Sequence, residues 1–352
     1  NVDLLEQQCR TFKPQFAVLR DEASALALRD RLADLATEVL GGSASLCDVA
    51  GHGDADMVMA SIVGAAGLEP TLASVRAGKR ILLANKESLV MSGSLFMAEV
   101  QQSGAELLPI DSEHNAIYQC LANGAKEHAE GVKRLILTGS GGPLLRTELA
   151  DMKTVTPDEA CAHPNWKMGR KISVDSATMM NKGLELLEAS FLFSMSPRLI
   201  DIMIHPESIV HSMVEYLDGS VVAQLGNPDM RTPIAHGLAW PKRIPSAVDS
   251  LDLTATPGLH FEQPDYERFP CLRLARDVSE APQGMSIALN AANEIAVAHF
   301  LDELIGFMDI PVIISSVLEQ TNSVEAPTIE AVIELDRAAR ELALNEIKKI
   351  YG

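Results

Sequence analysis

The sequence predicts an α/β protein in three parts: a Rossmann-like parallel sheet, an α+β region and a C-terminal bundle of helices. Between Asn1 and Ile110 short apolar runs alternate with helical patterns, the signature of a doubly wound sheet with right-handed crossovers. Between Ser208 and Leu225 two strand-like runs flank Asp218-Gly219, a type I′ hairpin signal that belongs to antiparallel pairing. From Cys271 onwards the apolar residues recur with helical period almost to the end of the chain.

In order, the chain opens on a helical stretch, Val2 to Arg10. Candidate strands follow at Phe16–Leu19, Met57–Ile62, Arg80–Ala84 and Glu106–Ile110, with helices at Asp21–Leu35, Leu68–Ala77 and Ser88–Gln102 between them. No glycine-rich strand-to-helix turn precedes the first helix. In this topology the first strand is central and its turn holds a pyrophosphate. A sheet without its central strand leaves its neighbours' edges unpaired, so the first strands are expected in a segment preceding Asn1. Further on, His114–Leu121 reads as a helix, 123–130 as an exposed turn and Arg134–Thr138 as a strand. Thr156-Pro157 starts a short helix, Ser173–Phe193 reads as one long helix, and Met230–Ala239 as another. Residues 241–270 are rich in proline and polar residues and read as a linker. The bundle is Cys271–Val278, Met285–Leu304, Pro311–Glu319 and Thr328–Ile350. The domain division is therefore 1–111, with its first strands missing, then 112–240, a linker at 241–270, and 271–352.

Bulk composition removes whole classes of function. With 352 residues and 47% hydrophobic content the chain buries an ample core, which at 4% aromatic must be aliphatic. A net charge of -19 argues against a nucleic-acid partner. Any phosphate bound here must meet a local cluster of cations. The cysteines Cys9, Cys47, Cys120, Cys161 and Cys271 are scattered and lack a CxxC pair, which suits reduced thiols in a cytosol. No apolar run reaches the roughly 20 residues of a membrane helix.

The chemistry concentrates where apolar runs stop. LLPIDSEHN, Leu107 to Asn115, is a strand-like run ending in Asp111, Ser112 and Glu113. Ligands of open parallel sheets bind beyond the carboxyl ends of the strands, and paired carboxylates suit Mg²⁺ or Mn²⁺. On the triplet alone, an Asp helix cap with a first-turn Glu is the plainer account. Asn181, Lys182 and Glu185 tip the balance, because their i, i+3 and i, i+4 spacings place an amide, an amine and a carboxylate on one helix face. That stripe offers two substrate anchors and a third metal ligand. Ser176 would point the other way on a regular helix, so it joins the site only if it lies at or before the helix start.

Asn85-Lys86-Glu87 follows the strand RILLA, where Lys86 could reach a substrate oxygen and its neighbours a nicotinamide, or the pair is a solvated loop before a Ser88 cap. Gly139-Ser140-Gly141-Gly142-Pro143 is either a phosphate cradle with a serine donor or a plain turn. His163-Pro164-Asn165-Trp166-Lys167-Met168-Gly169 puts an aromatic in a loop, as a water-excluding lid or as an anchor into the core.

Taken jointly, LLPIDSEHNAI, LLANKESL, LTGSGGP, HPNWKMGRKISVDSATMMNKGLE and GNPDMRTPIAH closely resemble one family, 1-deoxy-D-xylulose 5-phosphate reductoisomerase of the non-mevalonate isoprenoid pathway, along essentially the whole chain. The resemblance implies that Asp111, Glu113 and Glu185 bind one divalent metal, Mg²⁺ or Mn²⁺. It implies that Ser112, Ser140, Ser176, Asn181 and Lys182 hold a phosphosugar, with Lys86, Glu113, Glu185, His163 and Trp166 also facing it and Met168 in the closing flap. Lys86, Glu113 and His163 would form the catalytic centre, while Asn1, Asn85, Glu87 and Gly169 would meet NADPH. The implied reaction is a carbon-skeleton rearrangement of 1-deoxy-D-xylulose 5-phosphate followed by reduction to 2-C-methyl-D-erythritol 4-phosphate. A cytoplasmic bacterial homodimer is implied with it. Two other readings stay open. One is a metal-dependent phosphosugar aldolase or a simple NADP dehydrogenase on the same scaffold. The other is a truncated, non-catalytic fragment, since the family's nucleotide turn would lie before Asn1; such a fragment would bind metal and phosphosugar weakly and turn over no NADPH.

Overall fold

The computed structural model describes residues 1–121, 131–256 and 258–352, so the turn expected at 123–130 lies outside the described residues. The N-terminal part is α/β as the alternation requires, but its five parallel strands form two sheets. In the first, β1 (Phe16–Leu19) pairs with β2 (Glu38–Gly41). Here α1 (Val2–Phe12) and α2 (Glu22–Arg31) close a small core of Cys9, Ala17, Ala25, Leu28, Leu32 and Val39. In the second, β3 (Met57–Ala60), β4 (Arg80–Leu83) and β5 (Glu106–Pro109) lie in that order, all parallel. Both β2 and α3 (Ser43–Ala50) escape the sequence reading, because β2 is four residues long with only Val39 buried and α3 buries no side chain fully.

Strands β4 and β5 each deliver a loop to the site. Asn85 follows β4 and caps α5 (Lys86–Ser103), its side chain accepting from Ser88 N at 2.9 Å. Asp111 follows β5 and precedes α6 (Ser112–Cys120).

The middle region is a four-stranded sheet of order β7-β6-β8-β9, made of β6 (Val132–Gly139), β7 (Ile200–Ile204), β8 (Val210–Tyr216) and β9 (Val221–Leu225). β8 and β9 form the expected hairpin. Its turn is not type I′, which needs left-handed backbone at both central residues; only Gly219, at φ 88, has it. β6 and β7 run parallel, a pairing the sequence did not announce. Their crossover contains α7 (Pro157–Cys161), α8 (Arg170–Ala177) and α9 (Met180–Leu192).

The long helix expected over 173–193 is thus two helices. The break falls at Met179, whose φ of 58 is left-handed. No glycine or proline marks it. Thr178 makes it tolerable for the backbone: its hydroxyl donates to Val174 O at 3.1 Å and accepts from Met180 N at 3.3 Å.

α5 and α9 carry the residues that face each other across the site, and they pack closely at Gly93. A Cβ there would fall 2.3 Å from Phe191 Cζ, and the helix is kinked at the same residue. Gly93→Ala is therefore expected to lower stability by about 1–3 kcal/mol through overpacking, read as a drop in the urea midpoint at unchanged m-value.

The rest is helical: α10 (Arg231–Ala239), α11 (Pro270–Val278), α12 (Gln283–Leu301), α13 (Asp309–Gln320) and α14 (Ile329–Tyr351). α12 is the centre of this part, burying Ile287, Leu289, Val297 and Phe300 in one apolar core continuous with β3–β5 and β6–β8. Among the described residues no helix is long and apolar enough to cross a membrane.

α10 docks through His236, buried beside Tyr118 and Trp240, with Nδ1 accepting from Asn115 Nδ2 at 3.0 Å. Burial, and secondarily Arg243, pushes this imidazole down to about 4. An unfolded histidine takes its proton near pH 6.5, so the unfolded chain binds the proton first as pH falls. The stability this neutral ring contributes is complete above that pH and is lost between about 6.5 and 4. His236→Gln is expected to show a shallower loss of stability between pH 7 and 4 than the parent chain, measured by urea unfolding at each pH.

Candidate active site

The site forms where β4, β5 and β6 end. They deliver Lys86, the Asp111–Glu113 triplet and the Gly139–Gly142 turn to one cavity of about 370 Å³. The α8–α9 break closes its other side. Ser176 lies in the last turn of α8, ahead of the α9 start, and lines the cavity with Asn181 and Lys182. That is the placement the spacing demanded of it. Glu185, one turn further along α9, is 0% exposed beneath them.

Asp111, Glu113 and Glu185 offer carboxylate oxygens that all lie within 4.8 Å of one another. Two ammonium groups sit among them. Lys86 Nζ is 2.6 Å from Asp111 Oδ2 and 3.3 Å from Glu185 Oε1, and donates to Asn181 Oδ1 at 2.8 Å. Lys182 Nζ donates to Glu113 Oε1 at 2.8 Å and also pairs with Glu185. Asn181 Nδ2 donates to Glu185 Oε1 at 2.5 Å, and Ser112 Oγ to Glu113 Oε2 at 2.6 Å.

Burial opposes ionisation of Asp111, yet Lys86 and His114 outweigh it and hold the carboxyl well below its usual range. Glu185 goes the other way: burial and the Glu113 charge raise it. Three carboxylates against two ammonium groups leave one negative charge unbalanced. An all-oxygen donor set with that deficit fits a hard divalent cation such as Mg²⁺ or Mn²⁺.

A second acid cluster, Asp111, His114 and Glu188, lies behind the first. His114 Nε2 is 2.9 Å from Glu185 O and Nδ1 is 3.1 Å from Glu188 Oε2. Nε2 donates to the Glu185 carbonyl, while Nδ1 faces Glu188 Oε2 and Asp111 Oδ2 without forming a hydrogen bond to either. It acts as a buried strut between the two carboxylate-bearing helices. The sequence reading passed over both His114 and Glu188, although His114 sits inside the quoted stretch and Glu188 is one helical step from Glu185.

The glycine-rich turn lies close against the end of α8 and the Lys182 side chain. Gly142 has φ 71, and a Cβ on it would meet Ser176 O at 2.5 Å; one on Gly139 would meet Lys182 Cε at 2.8 Å. Two glycines therefore let Ser140, Ser176 and Lys182 gather around one point. His163 organises the other rim. Its Nδ1 accepts from Asn165 N at 3.1 Å and Trp166 N at 2.9 Å, so the proton sits on Nε2, which donates to Ser140 Oγ at 2.8 Å. Ser140 also accepts from Gly142 N at 3.1 Å, leaving its own O–H for a ligand. Burial holds His163 below its ordinary value, against the opposing Glu113 charge. Trp166 is half-buried, lines the cavity, and its ring lies 6.0 Å from that of His211. It is not sunk in the core. Met168 and Gly169 continue the rim, and Gly169 caps α8.

The residues singled out for a nucleotide are less gathered. Asn85 is buried behind the loop 61–67, its amide donating to Gly64 O at 3.0 Å. Glu87 is buried and paired with Lys171 at 2.8 Å. Asn1 is exposed and caps α1, accepting from Leu4 N at 3.0 Å, and does not line the cavity.

Comparison with known proteins agrees along the whole length. Family models described as 1-deoxy-D-xylulose 5-phosphate reductoisomerase, its C-terminal domain, and DXP reductoisomerase C-terminal domain match residues 1–93, 107–193 and 225–342. The chain is similar to the 1-deoxy-D-xylulose 5-phosphate reductoisomerase of Saccharophagus degradans, at 59% identity over 99% of this chain and 90% of that protein. It is similar to that of Aromatoleum aromaticum at 58% identity over 98% and 87%. Among solved structures, a DOX-P reductoisomerase in complex with NADPH, fosmidomycin and magnesium superposes with a TM-score of 0.96 at 46% identity, covering 99% of this chain and 90% of the other. The Zymomonas mobilis enzyme in complex with NADPH gives 0.89 at 47% identity, covering 99% and 89%.

Proposed function

The chain belongs to the 1-deoxy-D-xylulose 5-phosphate reductoisomerase family, and from that premise we propose which of its residues carry the conversion of 1-deoxy-D-xylulose 5-phosphate to 2-C-methyl-D-erythritol 4-phosphate. The observation that carries the assignment is the meeting of Asp111, Glu113 and Glu185, from two distant segments, around one point beside Lys86 and Lys182. These three carboxylates hold one divalent ion. Bound in the site, Mg²⁺ or Mn²⁺ supplies Lewis-acid polarisation of adjacent substrate oxygens, and NADPH supplies the hydride.

The chain's own groups do the rest. Lys86, itself buried, adds positive charge where an enolate or alkoxide develops, and such charge counts most away from water. Ser112, Ser140, Ser176, Asn181 and Lys182 grip the phosphosugar, and the glycine turn gives its anionic end room. His163, neutral and with its proton on Nε2, lends a donor through Ser140. Trp166 and Met168 form the flap that keeps a reactive aldehyde from water until it is reduced. Asn85, Glu87 and Gly169 meet the nicotinamide side, and Asn1 the far end of the cofactor.

By this reading residues 1–111 are the cofactor part, 112–240 the catalytic and dimerisation part, 241–270 a linker and 271–352 the helical part. The exposed edge strand β9, with Val221 and Val222 outward, supports a homodimer. The strongly acidic chain supports an enzyme without a nucleic-acid partner, and its scattered cysteines, with no CxxC pair, support a cytoplasmic one.

The test is to follow nicotinamide absorbance on adding the phosphosugar with Mg²⁺, and to identify the product by NMR. Loss of absorbance with a branched tetritol phosphate as product is expected. Reduction without rearrangement would leave the dehydrogenase reading, and cleavage without reduction the aldolase one.

A further inference from the structure

Lys171 has no part in the chemistry above, yet it holds together two segments that do. It lies on α8, two residues after Gly169, where the flap joins the helix. Its ammonium is 2.8 Å from Glu87 Oε1 and 2.8 Å from Asp175 Oδ2. Glu87 and Asp175 are 5% and 1% exposed. Asp175 in turn accepts from Asn293 Nδ2 of α12 at 2.8 Å, and Asn293 is wholly buried. On the far side of Glu87, Asn85 Nδ2 bonds Gly64 O at 3.0 Å, and Ala65 N donates to Glu294 Oε1 at 3.2 Å. Asn293 and Glu294 are neighbours, so the chain of polar contacts closes into a ring. It passes through α12, α8, the start of α5 and the loop 61–67, and returns to α12. Ser61, Val63, Gly169 and Ile172, on the segments the ring ties, line the cavity.

We propose that Lys171 is a positioning residue for the cofactor: clamped between Glu87 and Asp175, it fixes the helix that carries the flap against the residues that meet the nicotinamide side. The physical reason is that Glu87 is a buried carboxylate with one cationic partner on another element. Without it, Glu87 either turns toward water or takes up a proton, and both move the wall it belongs to. The ring adds that α12 sets the clamp from behind, through Asn293. This inference rests on the reading of Glu87 as a cofactor-binding residue.

The experiment measures NADPH affinity by equilibrium titration of the full chain, and KM for NADPH and for the phosphosugar separately. Lys171→Met is expected to weaken NADPH binding about tenfold while shifting the phosphosugar KM by less than about twofold. Lys171→Arg, which keeps the charge, is expected to recover most of the loss. In a Glu87→Gln background, Lys171→Met is expected to add little, because contacting residues couple. Asn293→Ala, which touches neither Glu87 nor the cavity, is expected to give a smaller loss of the same kind, and it decides the matter if Lys171→Met does not fold. Unchanged NADPH affinity in Lys171→Met, equal losses for both ligands, or full additivity with Glu87→Gln would overturn the clamp. Unchanged NADPH affinity in Glu87→Gln alone would overturn the reading of Glu87, and the clamp with it. A loss in Glu87→Gln without one in Lys171→Met removes the clamp only.

Discussion

Glu185→Gln is expected to lower turnover by about three orders of magnitude while the protein stays folded. The substitution keeps size and shape, and an amide oxygen at this position can still accept from Asn181 Nδ2 as the carboxylate does at 2.5 Å. What disappears is one of the three charges that meet within 4.8 Å. Burial and the Glu113 charge raise this carboxyl above its ordinary value, against the opposing charges of Lys182 and Lys86. Two carboxylates facing Lys86 and Lys182 leave no net negative charge to attract a dication. The measurement is kcat with the phosphosugar against added Mg²⁺ or Mn²⁺, beside a Mn²⁺ binding titration and a melting curve. Activity within about tenfold of the parent chain would remove Glu185 from the site.

Gly142→Val is expected to raise the KM for the phosphosugar by about a hundredfold and to destabilise the protein at the same time. The backbone there has φ 71, and a β-carbon would lie 2.5 Å from Ser176 O. A β-branched residue resists left-handed backbone on its own account, and the clash then pushes the turn away from the end of α8. Ser140 loses its bond from Gly142 N, and the serines part. NADPH affinity should change far less, since Glu87 does not line the cavity with this turn. A KM ratio near one would show that the turn is a mere connector between β6 and α7.

Much of this could be read before any coordinates. Asp111 and Glu113 stand where a buried strand ends, and the i, i+4 spacing of Asn181 and Glu185 fixes a shared face, so local rules single out the candidate ligands but not the meeting of the two segments. Ser176 shows where local rules stop. On one continuous helix it would point away, and the left-handed Met179, which no sequence signal marks, is what turns it to the cavity. The parallel β6–β7 pair and the two-part N-terminal sheet are long-range choices that alternation alone cannot decide. His114, Glu188 and Lys171 were missed for a different reason. Each looks like an ordinary charged helix residue until a partner from a remote stretch of chain is brought beside it, as Glu188 is to His114 at 3.1 Å and Glu87 to Lys171 at 2.8 Å.

The two lysines among the acids have one more effect. They are the counter-charge for two of the three buried acids and leave the third charge for a dication to answer. If Asp111, Glu113 and Glu185 held a dication, Lys86 and Lys182 would no longer be their sole counter-charge and would be available to an anionic substrate. Thermodynamic reciprocity would then make ion and sugar phosphate mutual promoters: each would be held more tightly with the other present, and a titration of either alone would understate the grip on the pair.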